Sequence, residues 1–361
     1  MNDRLSALRD KLAQKHLDGL LVTQPQNIRY LSGFTSPDAS LIVTPTEALI
    51  ATDFRYFVQA AEQCPDWELV QLKDKPEETL KERLSALAEK GLRRLGYEKT
   101  HLTVERYHRL RRKVLPPGVH FVATQGLVEE LRMVKEPAEL EIIRRAVRLG
   151  DEAYMAVAPR VQVGMTERAV AWELEMWART HGAHKASFDF IVAAGPNAAK
   201  PHAEPGDRPI QEGEPITIDM GVIVDGYCSD LTRTFCLGEP TDKFRAIWQI
   251  VRAAQEKAEA GIRAGMTGRR ADALARDVIT AAGYGENFGH GLGHGVGLAV
   301  HELPTANKRY RKPLPANSVI TIEPGIYIPD WGGVRLEDMV LVRPDGVEVL
   351  STSPKTLTNR F

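Results

Sequence analysis

The feature that most constrains the fold of this chain is a hairpin pattern over Pro215–Phe235, in which two runs of β-forming residues flank Asp225–Gly226. That dipeptide is typical of a two-residue turn between antiparallel strands. Counting outward from the turn places Asp219 opposite Thr232 on the neighbouring strand. Because strand side chains alternate between faces, Asp219 and Asp230 become diagonal neighbours on one face, with backbones about 7–8 Å apart.

Two carboxylates on such a diagonal can hold a pair of metal ions about 3.5–4 Å apart. The alternative interpretation is an ordinary solvated hairpin with two surface acids. Aspartate is depleted in strands, however, and both Asp219 and Asp230 have apolar neighbours. The pair therefore favours a functional site over a solvated surface.

The chain has 361 residues, a formal net charge of −1 and three scattered cysteines. This length favours two domains, each able to build a core. The balanced charge and the lack of long basic runs argue against a nucleic-acid partner. The cysteine usage, the lack of long apolar windows and an amino terminus without a signal-peptide pattern predict a soluble cytoplasmic protein that does not bind membranes.

Strand patterns alternate with helical ones over the first third of the chain, which predicts a compact α/β domain at residues 1–124. We interpret the run Ile28–Leu31, in which three of four residues are apolar, as one of its strands. The character of the sequence then changes, and a long helix is expected to begin near Pro137. We therefore expect a second domain over residues 125–361.

The second domain contains a faint internal repeat. Two Gly-Met-Thr tripeptides each precede a helical pattern for which threonine is a plausible N-cap, and each is followed by an Ile-Thr-Ile-acid segment at a similar distance. The paired segments are 164–166 with 265–267 and 216–221 with 320–325. Two such units about a pseudo-twofold axis would bring Asp219 and Glu323 to equivalent places in one cavity. A short repeat can also arise by chance.

Three of the ten histidines lie in the glycine-dense segment Asn287–Glu302, namely His290, His294 and His301. A single histidine is more often a structural residue than a metal ligand, but three within so short a segment favour a ligand-binding role. Glycine lets the backbone approach a ligand closely. We therefore expect this segment to face the same cavity.

The strand pattern over Val334–Val342 places Arg335 and Glu337 on one face. Together, Glu323 and Glu337 then repeat the arrangement of the two aspartates in the first hairpin. Four carboxylates in one cavity would repel one another and take up protons unless cations lie among them. Oxygen-rich coordination with one imidazole suits Mn²⁺, with Co²⁺, Fe²⁺ and Zn²⁺ as alternatives. Two such ions generate hydroxide from bridging water and polarise a carbonyl, which is the chemistry of amide hydrolysis.

The motifs that carry this chemistry are IDMG, SDLTRTF, GHGLGHGVGL, IEPGIY and VRLEDMV. This set closely resembles the pita-bread metallopeptidases, and within them the branch of Xaa-Pro dipeptidases (prolidases) and Xaa-Pro aminopeptidases. The first third is similar to the creatinase-type N-terminal domain, including the segment Thr52–Ala60. The resemblance covers nearly the whole chain. It implies an α/β (α+β) fold, with a creatinase-like N-terminal domain at 1–124 and a pseudo-twofold pita-bread catalytic domain at 125–361.

The resemblance implies two divalent metal ions, with Mn²⁺ preferred. The implied metal ligands are Asp219, Asp230, His294, Glu323 and Glu337. Asp230 and Glu337 are expected to bridge the two ions. Glu323 is also expected to be catalytic, because a carboxylate beside the nucleophilic hydroxide can move its proton to the leaving nitrogen.

Further roles are implied for residues around the metal ligands. His202 and His301 are expected to hydrogen-bond the scissile region and stabilise its oxyanion as catalytic residues. His290 is expected to line the pocket for the proline ring. Tyr327 and Arg335 match positions that contact the substrate or support the ligands, and for Arg335 a plain structural ion pair with a ligand carboxylate is an equal alternative.

The implied substrates are small peptides with proline in the second position, cleaved by a homodimer as a prolidase or as an aminopeptidase. A creatinase-like C–N hydrolase works without metals and lacks the full ligand set. A methionine aminopeptidase lacks the preceding α/β domain. A non-catalytic binding module on the same fold is expected to lose ligands. All five ligand positions are intact here, which argues against the first and last of these alternatives.

Overall fold

The computed structural model describes residues 3–360. The chain folds as two compact units, Met1–Arg132 and Met133–Phe361. The first unit ends eight residues after residue 124, where the sequence analysis placed the boundary, and it includes the short helix Glu129–Arg132. No helix within residues 3–360 is long and apolar enough to cross a membrane.

The first unit is a six-stranded mixed sheet with helices. Its helices are α1 (Asp3–Gln14), α2 (Pro25–Ser32), α3 (Phe57–Gln63), α4 (Pro76–Glu89), α5 (Val104–Lys113) and α6 (Glu129–Arg132). Its strands are β1 (Gly19–Val22), β2 (Ala39–Val43), β3 (Ala48–Asp53), β4 (Glu68–Leu72), β5 (Arg94–Glu98) and β6 (His120–Thr124). The strand order is β4-β3-β2-β1-β5-β6. At its centre β1 runs antiparallel to β2 and parallel to β5.

The prediction of a strand at Ile28–Leu31 is wrong, because this run lies inside helix α2. Pro25 occupies the first turn, where its fixed φ and missing N–H suit a helix start. Gly33 ends the helix in the left-handed conformation, with φ 81°, and its N–H donates to the Arg29 carbonyl. A run of four residues, three of them apolar, cannot distinguish the two element types, whereas these flanking residues can.

The second unit consists of two helix pairs and a set of short strands. Its helices are α7 (Pro137–Val157), α8 (Glu167–Thr180), α9 (Asp242–Gly261) and α10 (Gly268–Ala281). The strands of its first half are β7 (Lys185–Ala186), β8 (Ile191–Ala194), β9 (Ile216–Met220), β10 (Val222–Val224), β11 (Tyr227–Cys228) and β12 (Leu231–Phe235). Those of its second half are β13 (Gly293–Gly295), β14 (Glu302–Ala306), β15 (Val319–Ile322), β16 (Gly325–Ile328), β17 (Gly332–Arg335), β18 (Asp338–Val342) and β19 (Val347–Val349). The expected long helix from Pro137 is confirmed as α7.

The internal repeat is present in the structure. Thr166 and Thr267 are the N-caps of α8 and α10, and each side chain accepts a hydrogen bond from the backbone N–H three residues later. The same two threonines each form an isolated antiparallel bridge, with Pro209 and Pro313 respectively. One apolar core lies in the first half, around α7 and α8, and a second lies in the other half, around α9 and α10. The two halves therefore contain equivalent capped helices, and each half packs around its own apolar core.

Each half contains a hairpin with two pairs of strands, one pair next to the turn and one pair farther from it. In the first half β9 pairs with β12 and β10 pairs with β11, and Asp219 lies opposite Thr232 as predicted. In the second half β15 pairs with β18 and β16 pairs with β17. The expected continuous strand Val334–Val342 is interrupted at Leu336–Glu337, since β17 and β18 belong to different sheets. At this break Glu337 forms an isolated antiparallel bridge with Thr232 and so joins the two hairpins.

Candidate active site

The second unit contains a cavity of about 480 Å³ lined by residues from both halves of the repeat. Nine of the residues predicted from the sequence line it: Asp219, Asp230, His202, His290, His294, His301, Glu323, Arg335 and Glu337. The tenth, Tyr327, lies behind this lining, with its hydroxyl 2.9 Å from His290 Nε2. The structure therefore brings together all ten residues that the sequence singled out.

Three of these side chains form a compact group of potential metal ligands. Asp230, His294 and Glu337 each offer one ligand atom, and these atoms all lie within 4.8 Å of one another. His294 Nε2 is 3.6 Å from Asp230 Oδ2 and 3.3 Å from Glu323 Oε1. Carboxylate and imidazole donors in this combination suit a first-row divalent cation.

Two positions in the site motifs require glycine because another part of the backbone lies very close to them. A Cβ atom added at Gly221, between the strands of the first hairpin, would lie 2.0 Å from the Ser229 carbonyl oxygen. A Cβ atom added at Gly293 would lie equally close to the Thr321 carbonyl oxygen. Because neither position can accommodate a side chain, glycine is needed to bring Asp219 and His294 to the cavity on tightly packed strands.

Burial and mutual repulsion disturb the carboxyl groups strongly. Burial and the neighbouring charges of Glu337 and Asp219 hold the pKa of Asp230 well above its usual range. Burial and the charges of Glu323 and Asp219 do the same to the pKa of Glu337. Carboxyl groups in this state gain much from a nearby cation, because each then ionises without facing uncompensated negative charge.

Asp219 provides a direct test of whether a cation fits. Burial raises its pKa, although the charge of Arg335 acts in the opposite direction. Its Oδ2 atom accepts a hydrogen bond of 2.6 Å from Arg335 Nη2. Its Oδ1 atom is buried and has no hydrogen-bond partner among residues 3–360. A buried carboxylate oxygen without a donor is costly, and coordination of a divalent metal ion would satisfy it.

Glu323 differs from the other carboxyl groups because histidines compensate its charge. Burial alone would raise its pKa, but hydrogen bonding to His294 and the charges of His294 and His290 lower it to about 2. In return, the contact with Glu323 outweighs burial and raises the pKa of His294. Glu323 is therefore the carboxylate of the site that stays ionised most readily.

Arg335 connects a predicted metal ligand to the predicted substrate residues. Its guanidinium donates to Asp219 Oδ2, to the Tyr327 hydroxyl at 2.7 Å and to the Thr232 hydroxyl at 3.2 Å. Burial raises the pKa of Tyr327 to about 12, so its hydroxyl stays protonated. The ion pair with Asp219, which the sequence left open as an alternative, is thus present, and Arg335 also lines the cavity.

The remaining histidines surround the same space. His290 has its Nδ1 atom 2.8 Å from the Gly291 carbonyl oxygen, and burial lowers its pKa. The rings of His294 and His301 lie 4.3 Å apart in an edge-to-face arrangement. Burial and the charge of His294 lower the pKa of His301. At neutral pH, His290 and His301 therefore present neutral imidazoles to the cavity.

Sequence reasoning missed the apolar part of the cavity wall. The apolar side chains on this wall are Phe188, Phe190, Ile191, Pro201, Ala203 and Pro205. The phenylalanines flank an aspartate in a Phe-Asp-Phe sequence, and alternation in an extended segment would have placed both on one face. Such a wall matches the apolar surface that a proline ring would present.

Comparison with known protein families covers almost the entire chain. Residues 4–134 match the creatinase/prolidase N-terminal domain, and residues 141–344 match metallopeptidase family M24. A Xaa-Pro dipeptidase of Pyrococcus furiosus is 36% identical over 99% of this chain and 100% of its own length.

Solved structures with high similarity include two types of peptidase. A Xaa-Pro dipeptidase from Bacillus anthracis is 40% identical, with a TM-score of 0.94 over 99% of both chains. An X-Pro aminopeptidase from Thermotoga maritima is 33% identical, with a TM-score of 0.87 over 96% of this chain and 99% of its own. These matches confirm the predicted α/β architecture, with a creatinase-like amino-terminal domain and a pita-bread domain after it. The chain therefore belongs to metallopeptidase family M24, in its branch of Xaa-Pro dipeptidases and aminopeptidases.

Proposed function

We propose that this protein hydrolyses the bond between an amino-terminal residue and proline in small peptides, using two divalent metal ions. The observation that carries the proposal is the group formed by Asp230, His294 and Glu337 beside the unpartnered oxygen of Asp219. The names of the similar dipeptidases and aminopeptidase support the choice of Xaa-Pro substrates. The metal-independent C–N hydrolase is not favoured, because all five predicted ligands are present and line one cavity.

The donor set determines which metal ions fit. The residues proposed to hold them are Asp219, Asp230, His294, Glu323 and Glu337. Mn²⁺ is the preferred ion because four carboxylates and one imidazole form an oxygen-rich set, and Asp230 and Glu337 are proposed to bridge the pair. When bound, such ions lower the pKa of water and polarise the substrate carbonyl.

Glu323 is proposed to move the proton during hydrolysis. It accepts a proton from the attacking water and delivers it to the proline nitrogen as the bond breaks. In the metal-free site the charges of His294 and His290 compensate its own, which favours its ionised form. Glu323 is thus proposed to be both a ligand and the proton carrier, and the other three carboxylates act as ligands alone.

The other histidines that line the cavity are proposed to act on the substrate. His202 and His301 donate hydrogen bonds to the scissile carbonyl oxygen, where negative charge develops in the transition state. His290, with Phe188 and Phe190, forms the pocket for the proline ring. Tyr327 supports His290 from behind, since its hydroxyl lies within hydrogen-bond distance of the ring.

Proline specificity follows from the chemistry of the substrate. The nitrogen of a Xaa-Pro bond carries no hydrogen, and the ring fixes the backbone conformation. A pocket shaped for this ring gains binding energy that an alanine side chain cannot provide. A homodimeric state and a cytoplasmic location stay predictions.

The test is a mass-spectrometric assay that follows free amino acid released from matched Xaa-Pro and Xaa-Ala substrates in the presence of Mn²⁺. We expect kcat/KM for Xaa-Pro to exceed that for Xaa-Ala by at least about tenfold. A matched Xaa-Pro-Yaa tripeptide separates the two peptidase types: turnover of the dipeptide alone indicates a prolidase, and turnover of the tripeptide indicates an aminopeptidase. Equal rates on Xaa-Pro and Xaa-Ala would remove the proline assignment.

A further inference from the structure

We propose that Arg233 and Asp338 are positioning residues that hold the two bridging carboxylates, Asp230 and Glu337, in register for metal binding. Neither positioning residue lines the cavity. The proposal includes a short segment near the carboxyl terminus, 351–355, which completes the contacts of Arg233. It rests on the proposed function, because Asp230 and Glu337 are taken there as the bridging ligands.

Arg233 lies directly behind the site. Asp230 directly precedes strand β12, and Thr232, on that strand, directs its hydroxyl to the Glu337 carboxylate, so alternation directs Arg233 to the opposite face. Arg233 is 2% exposed, and a buried guanidinium is stable only when it is paired and hydrogen-bonded.

Every N–H group of the Arg233 guanidinium has an acceptor. Nη1 donates to the Thr232 carbonyl at 3.0 Å and to the Glu337 carbonyl at 2.5 Å. Nη2 donates to Asp338 Oδ1 and to the Ser353 carbonyl, both at 2.7 Å, and Nε donates to the Ser353 carbonyl at 3.2 Å. Five donors thus meet five acceptor contacts. One planar group ties the strand after Asp230 to the backbone of Glu337 itself.

We call Arg233, Asp338 and the segment 351–355 the clamp. The carboxylate of Asp338 carries the negative charge that pairs with Arg233, and Asp338 directly follows Glu337 in the chain. Its other oxygen, Oδ2, accepts from Lys355 Nζ at 2.5 Å and from Gln255 Nε2 at 3.2 Å. Lys355 also pairs with Glu259 at 3.0 Å. The carboxylate is therefore held from both sides, and the backbone at Glu337 cannot rotate without breaking these contacts.

The segment 351–355 is fixed in turn by helix α7. The Asp151 carboxylate accepts hydrogen bonds from the backbone N–H and the hydroxyl of both Thr352 and Ser353, at 2.5–3.0 Å. Asp151 is itself buried. The Ser353 carbonyl is thereby held at the place where Arg233 needs an acceptor.

This clamp opposes the repulsion between the ligands that it supports. Asp230 and Glu337 raise each other's energy when both are ionised, so a flexible backbone would relax by moving them apart. Arg233 joins the two strands at the bridge between Thr232 and Glu337, where the hairpins meet. Supporting contacts of this kind commonly change metal affinity about 10–100-fold.

The principal test compares Mn²⁺ binding to the wild-type chain and to Arg233→Lys by isothermal titration calorimetry without substrate. Lysine keeps the positive charge but not the planar five-donor fork. We expect the dissociation constant for Mn²⁺ to rise at least about tenfold in the variant. At saturating Mn²⁺ we expect kcat for Xaa-Pro hydrolysis to recover to within a few-fold of wild type, since Arg233 does not touch the substrate.

Control variants separate positioning from general loss of stability. Leu174→Ala creates a cavity in the core between α7 and α8 and leaves the clamp intact. It is expected to lower the melting temperature without changing Mn²⁺ affinity. Asp151→Asn, which disturbs only the outermost contact, is expected to weaken Mn²⁺ binding less than Arg233→Lys, and it serves as the test if that variant does not fold.

The outcomes distinguish this proposal from the proposed function. Wild-type Mn²⁺ affinity in folded Arg233→Lys, or an equal loss in Leu174→Ala, would overturn the positioning role. If Arg233→Lys fails to fold, wild-type affinity in Asp151→Asn overturns it. A wild-type chain that binds two ions but does not cleave Xaa-Pro would overturn the proposed function and leave the positioning role standing. A wild-type chain that binds no Mn²⁺ would overturn both.

Discussion

Thr232 and Glu337 are linked by two hydrogen bonds at the place where the two hairpins of the repeat meet. The Thr232 hydroxyl donates to Glu337 Oε2 at 2.6 Å, and the Glu337 N–H donates to the Thr232 carbonyl at 3.0 Å. The same hydroxyl accepts from Arg335 Nε. The Thr232 side chain therefore orients a proposed bridging ligand, Glu337, and contacts the arginine that holds a second proposed metal ligand, Asp219.

Thr232→Val tests this link, because valine has nearly the same shape but no hydroxyl. Burial raises the pKa of Glu337, and the Thr232 hydrogen bond partly offsets that rise, so its loss is expected to disfavour the ionised ligand further. We expect Mn²⁺ affinity to fall about tenfold and stability to fall by about 1–3 kcal/mol. Thr232→Ser keeps the hydroxyl and is expected to bind Mn²⁺ nearly as wild type does, as measured by calorimetric titration. Equal affinities in both variants would show that the hydroxyl has no role.

Asp230→Asn and Glu337→Gln are expected to abolish most activity while stabilising the metal-free fold. Metal ions supply several kcal/mol of transition-state stabilisation, so kcat/KM should fall at least about a hundredfold. Each substitution also removes one charge from a buried cluster of like charges, which relieves repulsion. With chelator present, each variant should melt at a higher temperature than wild type near pH 8. A lower melting temperature would contradict this electrostatic account.

The metal-free protein is expected to lose stability as pH rises above the ordinary range of carboxyl groups. The folded pKa values of Asp230 and Glu337 are raised well above their usual values by burial and repulsion. Their stabilising contribution is therefore full below the unfolded pKa and is lost as pH rises through the folded pKa. Mn²⁺ should restore stability near pH 8 and release protons on binding near neutral pH. Melting temperatures from pH 4 to 8, compared with those of Asp230→Asn/Glu337→Gln, isolate this contribution, and identical slopes would contradict it.

The sequence predicted those features of the site that depend on residues close together in the chain. The Asp225–Gly226 turn fixes the register of its hairpin, so the pairing of Asp219 with Thr232 could be counted along the chain. The break after β17 could not be predicted, because Val334–Val342 has an alternating start followed by an apolar run, and both patterns are typical of strands. The interruption depends on the bridge from Glu337 to Thr232, which lies in the other half of the repeat.

Long-range contacts explain the remaining differences. Arg233 stands in a recognised motif, but its acceptors at Asp338 and Ser353 lie more than a hundred residues away. No periodicity in the sequence encodes that proximity. The helix at Ile28–Leu31 is a different case, since Pro25 and Gly33 were visible as boundary signals and the short apolar run outweighed them.

The most direct test of the two-metal account is a titration of the chelated, metal-free protein with Mn²⁺ while proline release from a Xaa-Pro substrate is measured. The account predicts no turnover after chelation and a rise in activity that is complete at two bound ions per chain. Asp230→Asn, titrated in parallel, should stay inactive at the same Mn²⁺ concentrations. Turnover that is insensitive to chelation, or full activity without bound metal in the wild-type chain, would contradict the account.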